Sequence, residues 1–523
     1  MIIADTVRRA LGEHSGEIAI QDDARSWTYA QVGERAHRLV DALASRGIEV
    51  GDRVATLAPN DITTLELMLG LALGGYARTA LHAMGTGESH RQVLEGAGAR
   101  VLITTRELYD RFREDLHKTR GLALIVSTDA AGTEVLDYEE MLGSADPTDR
   151  HVAVSGDNIL HLAYSSGSSG LPRASVHTHA SWSAVTTDNA TFLPRVTSDD
   201  VYLAAAPLTH AASTVLFLLV ARGAKIRILD HFDPARAIEL IQNDRITMTF
   251  VVPTMLQAIV THPAVAEADL SSLRVVMYAS APISVATALL AQRVLGDVLF
   301  QSYGQSECLP ITCLTPEDHA RGAAGDERIL RSAGRVCLNA RIRIVDEQGQ
   351  DLPSGEIGEI LISTEGRMRG IYGDPELTAR RITPDGFIHT NDIGHLDDDG
   401  FLFVVDRKDD MIISGGFNIW PAEIEDVLRR HPDVLDAAVV GVPHPRWGET
   451  PRAVVVVREG SAVGENELVE LCRAEIGSMK KPTDFVFRTE PLPRTELGKL
   501  PRRLIRDQYW PAERPLERQI SGA

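Results

Sequence analysis

Ten residues, Tyr164-Ser-Ser-Gly-Ser-Ser-Gly-Leu-Pro-Arg173, carry the clearest chemical signal in this chain. They follow the apolar run Ile159 to Ala163, so the segment is expected to leave a strand as a loop. In such a loop the backbone N–H groups and hydroxyls of Ser165, Ser166, Gly167, Ser168, Ser169 and Gly170 can converge on phosphate oxygens, with Arg173 adding charge. The spacing is not that of a Walker A loop, which requires a Gly-Lys-Ser/Thr ending. Nor is it a Gly-x-Ser-x-Gly nucleophile elbow, because only Ser168 and Ser169 separate Gly167 from Gly170. A flexible Ser/Gly linker has the same composition, and alone the segment does not decide between the two.

Other reactive side chains are sparse. His177 and His179 form a His-x-His pair, but no third ligand type stands near, and they read as structural residues rather than a metal site. The four cysteines (Cys308, Cys313, Cys337, Cys472) form no Cys-x-x-Cys pair, which suits a reducing compartment and offers neither a disulfide framework nor a zinc site. A net charge of −20 argues against a broad nucleic-acid or anionic-membrane surface, so phosphate chemistry must come from a local site.

The elements that must position these groups belong to an ordinary globular chain of 523 residues, long enough for two or three domains. Met1-Ile-Ile-Ala-Asp reaches charge too early for a signal peptide, which points to a cytoplasmic protein. Val201 to Ala221 is strongly apolar, but Pro207, Thr209 and His210 interrupt it, so a strand, a loop and a buried helix are expected instead of a membrane span. Strands are predicted at Arg53 to Leu57, Val101 to Thr104, Leu122 to Ser127 and Leu273 to Ala279, with helical patterns at Thr63 to Gly74 and Arg91 to Ala97. This alternation predicts an α/β class: a large multilayer N-terminal domain over residues 1–406. After Asp406 the style changes. Pro421 opens a helix to Arg430, strands follow at Ala437 to Val442 and Arg452 to Val457, and a helix spans Asn466 to Ile476. A small α+β C-terminal domain over residues 410–523, joined by a hinge, is the expectation, with a loosely held tail beyond Tyr509.

The Tyr164–Arg173 segment resembles the phosphate loop of the adenylate-forming superfamily, which includes acyl- and aryl-CoA ligases, adenylation domains and luciferases. Five further segments match that family in order: Pro207-Leu-Thr-His210, Tyr303-Gly-Gln-Ser-Glu307, Thr390-Asn-Asp392, Asp406 to Pro421, and Pro493-Arg-Thr-Glu-Leu-Gly-Lys499. The likeness covers nearly the whole chain. It implies ATP-dependent activation of a carboxylic acid as acyl-AMP, with pyrophosphate release, then transfer to coenzyme A.

The resemblance also implies roles. Tyr303 would stack on adenine beside Gly304 and the Ser280-Ala281-Pro282 turn, and Ser306 would reach the α-phosphate. Glu307 would hold Mg²⁺ as a hard oxygen ligand. Asp392 and Arg407 would contact the ribose, Asp409 would be the hinge, and Gly415 and Gly416 would let a pantetheine arm approach. His210 would gate the reacting carboxylate. Lys499 would steady the crowded negative charge that forms when one anion attacks another. Partners implied are a small carboxylic acid and, as an alternative acceptor, an acyl carrier protein. No nucleic acid or membrane span is implied, and the state is monomer or homodimer. Rival readings are an ATP-dependent diazotase-like member activating nitrite, and a nucleotide-binding pseudoenzyme; joint survival of Lys499, Glu307, Asp392 and Arg407 speaks against the second.

Departures from the family pattern mark a divergent branch. Pro172-Arg173-Ala174 replaces Pro-Lys-Gly, and Ala174 lacks the φ freedom of glycine, so a differently shaped corner is expected there. Asn391 stands for glycine, Ser306 for threonine, and Phe417 and Met479 occupy positions where other types are common. Tyr278 and Ala279 fall in a stretch that lines the acyl pocket in the family, which suggests a narrow channel for a short, flat aryl acid; a core role for Tyr278 fits as well.

Overall fold

The computed structural model describes residues 2–129, 134–166, 172–209, 211–414, 417–478, 480–494 and 500–510. The described residues divide into two compact units, one made of residues up to 342 with 362–388, the other of 343–361 with 389 onward.

Within the first unit a seven-stranded sheet runs Leu136–Asp137, Leu124–Ser127, Ala99–Thr104, Arg53–Leu57, Ala77–Ala80, Ile159–Ser166 and Pro172–Thr178. Every pairing in it is parallel except the last, an antiparallel hairpin matching Tyr164 with Ala174 and Ser165 with Arg173. A nine-stranded sheet holds Val201–Ala204, Met248–Val251, Val275–Tyr278 and Leu299–Gln305 as parallel neighbours. Parallel strands buried on both faces read as continuous apolar runs, and Met248–Val251 and Val275–Tyr278 are buried throughout.

The helix Thr63–Leu73 is buried along ten of its eleven residues, as an apolar helix enclosed by protein must be. Gly70 makes its approach possible: a Cβ there would lie 3.0 Å from Leu39 Cδ2 and 3.1 Å from the Ala36 carbonyl of the helix Tyr29–Ala44. Val201 to Ala221 forms a strand (Val201–Ala204), a one-turn helix (Ala211–Val215) and a buried helix (Leu216–Ala221). No helix among the described residues is long and apolar enough to cross a membrane.

The second unit centres on a five-stranded sheet in which Val434–His444 and Gly448–Val457 form a long antiparallel pair. Alternation along the first of these strands sorts its side chains. Ala437 and Val439 pack with Ile424, Leu428, Leu468 and Cys472 from the helices Pro421–Leu428 and Glu465–Ile476. Ala438, Val440 and Val442 pack with Ile505 and Trp510 on the other face. The strands Ile388–Leu396 and Leu402–Arg407 group almost wholly with this unit, so the sequence border at 406 falls inside it. Asp406 shows why: its buried carboxylate accepts from the Ala422 N–H at 2.8 Å and lies 3.5 Å from Arg502.

Candidate active site

Each part of the site in the first unit begins where a strand ends. Val275–Tyr278 and Leu299–Gln305 run parallel in register, Tyr278 opposite Gln301, so the turn at Ser280-Ala281-Pro282 and the segment Tyr303 to Glu307 leave the same sheet edge. The segment around Pro207 to Thr209 follows Val201–Ala204, a parallel strand of the same sheet. In open α/β sheets this carboxyl edge is where ligands bind. Ser280 has φ of 75°, a left-handed conformation unusual for a residue with a side chain. That backbone turn aims residues 280–282 differently from a simple strand exit.

The strand that continues the Ser/Gly segment meets the Tyr303–Glu307 motif although about 130 residues of chain separate them. His177, on the strand Pro172–Thr178, has Nε2 2.6 Å from the Ser306 carbonyl oxygen. A carbonyl only accepts, so Nε2 carries the proton and the ring is the Nε2–H tautomer. Burial keeps the His177 ring neutral by pushing its pKa below the usual value. Ser306 Oγ donates to Glu307 Oε2 at 2.7 Å, and the Glu307 carbonyl accepts from Met368 N at 2.6 Å. His179 is fully buried, with burial pulling it down to about 4. The His-x-His pair is therefore structural, with neither imidazole in a cluster of three His, Cys, Asp or Glu among the described residues.

The hairpin changes one expectation. Arg173 and Ala174 are strand residues paired with Ser165 and Tyr164, and Ala174 is 2% exposed. Extended backbone needs no positive φ, so alanine in place of glycine costs no strain at position 174 itself; the corner at residues 167–171 lies outside the described residues. Arg173 is exposed.

Tyr278 is 1% exposed, and its hydroxyl lies 2.7 Å from His319 Nε2 and 3.3 Å from Gln301 Oε1. His319 Nδ1 faces the Thr315 carbonyl at 2.8 Å and so carries the ring proton, leaving Nε2 to accept from Tyr278. This hydroxyl is engaged in the core and is not free for a ring substituent. Sequence gave no sign of His319, which stands 41 residues away from Tyr278. Ala279, half-buried, packs on the apolar cluster that contains Trp182, Leu216 and Phe217.

In the second unit Asp392 and Arg407 pair across adjacent strands, Arg407 Nε 2.8 Å from Asp392 Oδ1. Asp392 is 4% exposed whereas the Arg407 side chain is 45% exposed, so the guanidinium is the outward-facing member. Asn391 has φ of 59°, the left-handed geometry that asparagine tolerates in place of glycine. Asp409 is exposed in the single turn Lys408–Asp410. Gly167, Ser168, Ser169, Gly170, His210, Gly415, Gly416 and Lys499 lie outside the described residues, as do the side chains of Ser165 and Ser166.

Comparison with known proteins identifies the family. The family model described as AMP-binding enzyme matches residues 7–372, and the AMP-binding enzyme C-terminal domain matches residues 423–499. A feruloyl-CoA synthase of an Amycolatopsis species is 36% identical over 96% of this chain and 98% of that protein. A medium/long-chain-fatty-acid–CoA ligase of Mycobacterium tuberculosis is 33% identical over 92% of this chain and 86% of that protein. Among solved structures, the amide bond synthetase McbA from Marinactinospora thermotolerans superposes with a TM-score of 0.88 at 29% identity, covering 97% of this chain and all of that one.

Proposed function

The chain belongs to the AMP-binding enzyme family, and on that premise we propose that it joins a carboxylic acid to coenzyme A through an acyl-adenylate. The observation carrying this reading is the 2.6 Å bond from His177 to the Ser306 carbonyl, which ties the Ser/Gly hairpin to the Tyr303–Glu307 segment. That junction supports a nucleotide site shared by the two segments.

In this reading the acid's carboxylate attacks the α-phosphate and pyrophosphate leaves. Backbone N–H groups of 165–170 and Arg173 hold the phosphates, Tyr303 supports adenine beside residues 280–282, and Ser306 reaches the α-phosphate. Lys499 offsets the charge that peaks as the two anions meet. The Glu307 carboxylate, half-exposed beside Ser306, suits Mg²⁺, which takes few protein oxygens and fills the rest of its shell from phosphates and water. Bound there, Mg²⁺ would neutralise phosphate charge. Arg407, positioned by Asp392, holds the ribose hydroxyls. His210 and Ala279 border the acid. Rotation about Asp409 then withdraws Lys499 and brings Gly415 and Gly416 to the pantetheine thiol, which attacks the acyl carbon and releases AMP.

Relatives named for ferulate and fatty acids, and a structural relative named as an amide bond synthetase, leave acid and acceptor to experiment. The test is mass spectrometry of adenylates and thioesters from an acid panel, with and without coenzyme A. Lys499→Ala should lose about 10²–10³-fold in adenylate formation, the scale of one removed oxyanion donor. AMP production with any acid discards the pseudoenzyme, and its absence across the whole panel would favour it. Turnover with nitrite and an aryl amine alone would favour the diazotase-like reading.

A further inference from the structure

Arg78 is a buried cation without a counter-charge among the described residues. It lies on the strand Ala77–Ala80, opposite His161 on the neighbouring strand Ile159–Ser166, and is 7% exposed. Its Nε has no hydrogen-bond partner, and no carboxylate among the described residues pairs with the guanidinium. Burial, unopposed by any partner, pulls it down to about 10. A second donor shares the predicament: Trp182 is 6% exposed and its indole Nε1 is also buried with no acceptor among the described residues. Both line one cavity of about 20 Å³, together with Met68, His161, Ser213 and Phe217.

Leaving an ion and an N–H unmatched in a protein interior is among the least favourable arrangements a fold can keep. A small anionic oxygen group in this cavity would answer both donors at once, through charge-assisted bonds to guanidinium and indole. The volume admits a group on the scale of a single water, so the occupant is the tip of a larger molecule rather than its body.

Position says which molecule. Ile159–Ser166 runs directly into the Ser/Gly hairpin segment, and Ser213 stands three residues after position 210 in the turn Ala211–Val215. Resting on the proposed acyl-adenylate chemistry, in which residue 210 borders the reacting carboxyl, we propose that this cavity receives the far end of the acid. That end carries a second carboxylate, bound by Arg78 and Trp182. The substrate class is thus a dicarboxylic acid, or an aryl acid with a carboxylate tail, and Arg78 is a specificity residue.

The test compares length-matched pairs, suberate against octanoate and 4-carboxycinnamate against 4-methylcinnamate, by ATP–pyrophosphate exchange. The parent protein should prefer the diacid of a pair by at least tenfold in kcat/KM. In Arg78→Met that diacid-to-methyl ratio should fall by tenfold or more, chiefly through KM, and Arg78→Lys should restore part of it. Trp182→Phe keeps an aromatic side chain and drops the N–H; it should lower the same ratio several-fold, and it serves if Arg78→Met does not fold. Parallel loss for both members of each pair, or no diacid preference in the parent, overturns the inference. Thermal stabilisation by suberate without ATP, present in the parent and absent in Arg78→Met, would uphold the site even if no acid were adenylated, separating the two readings. Stabilisation by chloride over gluconate that vanishes in Arg78→Met, with none from suberate, would instead assign the cavity to an inorganic anion and overturn the substrate reading.

Discussion

Replacing Tyr278 with phenylalanine removes one oxygen from the core and leaves the His319 ring with an acceptor nitrogen facing nothing. In the parent, Tyr278 O–H donates to His319 Nε2 over 2.7 Å while Nδ1–H serves the Thr315 carbonyl. A buried acceptor stripped of its donor costs about 1–3 kcal/mol. Unfolding entropy scales at roughly 2.1 cal/mol/K per residue, so for a unit of this size the deficit corresponds to about 1–4 °C in Tm. The size should also vary with pH. Burial holds the His319 pKa down to about 4, below its usual 6.5, so the unfolded chain binds protons more readily and native stability is lost as pH falls from about 6.5 toward 4. The tyrosine stabilises the neutral ring; without it the folded imidazole protonates at higher pH, and the gap between variant and parent narrows in acid. Differential scanning fluorimetry at pH 8 and pH 5, with kcat/KM for an aryl and an aliphatic acid, measures both effects. An unchanged Tm with a tenfold change in aryl-acid preference would refute this account, because it would mean the hydroxyl serves the substrate and not His319.

Asp409→Pro should keep pyrophosphate exchange and suppress thioester formation, since proline locks φ where rotation is proposed; equal loss of both half-reactions would remove Asp409 as the pivot. Asn391→Val should cost about 1–2 kcal/mol, because a β-branched residue resists φ of 59°, while Asn391→Gly should be close to neutral in a denaturant melt. Burial raises the Asp406 carboxyl to about 6, so its contribution favours the native state below about pH 4 and fades as pH rises through 6. Asp406→Asn should therefore gain in Tm relative to the parent between pH 4 and 7; the opposite trend would show that the Arg502 attraction outweighs burial.

The regular elements were legible because their patterns are local. Arg53 to Leu57 is a strand over the predicted span, and Pro421 opens a helix as its fixed φ suggests. Other boundaries moved by a few residues, as when the predicted Ala437 to Val442 became Val434–His444, since pairing with a partner strand extends an element beyond its own apolar run. The Ser/Gly segment was found, but its exit as a hairpin was not, because Arg173 and Ala174 are held extended by Ser165 and Tyr164 rather than by their own preferences. The grip of His177 on the Ser306 carbonyl and of His319 on Tyr278 had no sequence signal at all. Both join positions brought together only by the sheets. The same holds for Arg78, which reads in sequence as an ordinary strand residue and becomes unusual only because no carboxylate among the described residues pairs with it.

The four buried thiols carry a chemical consequence. Acyl-adenylates and thioesters acylate any thiolate they meet, and a chain making them would be exposed to attack by its own sulfur. Cys308 directly follows Glu307, yet it is fully buried and burial pushes its thiol up to about 12; Cys472 is fully buried and pushed up to about 11. Cys313 and Cys337 are 8% and 6% exposed. An enclosed sulfhydryl is out of reach of an acyl donor, and at Cys308 and Cys472 burial also favours the neutral, poorly nucleophilic form. A protein so arranged presents no competing sulfur to its own product, and the acyl group is left to the acceptor that arrives from solution.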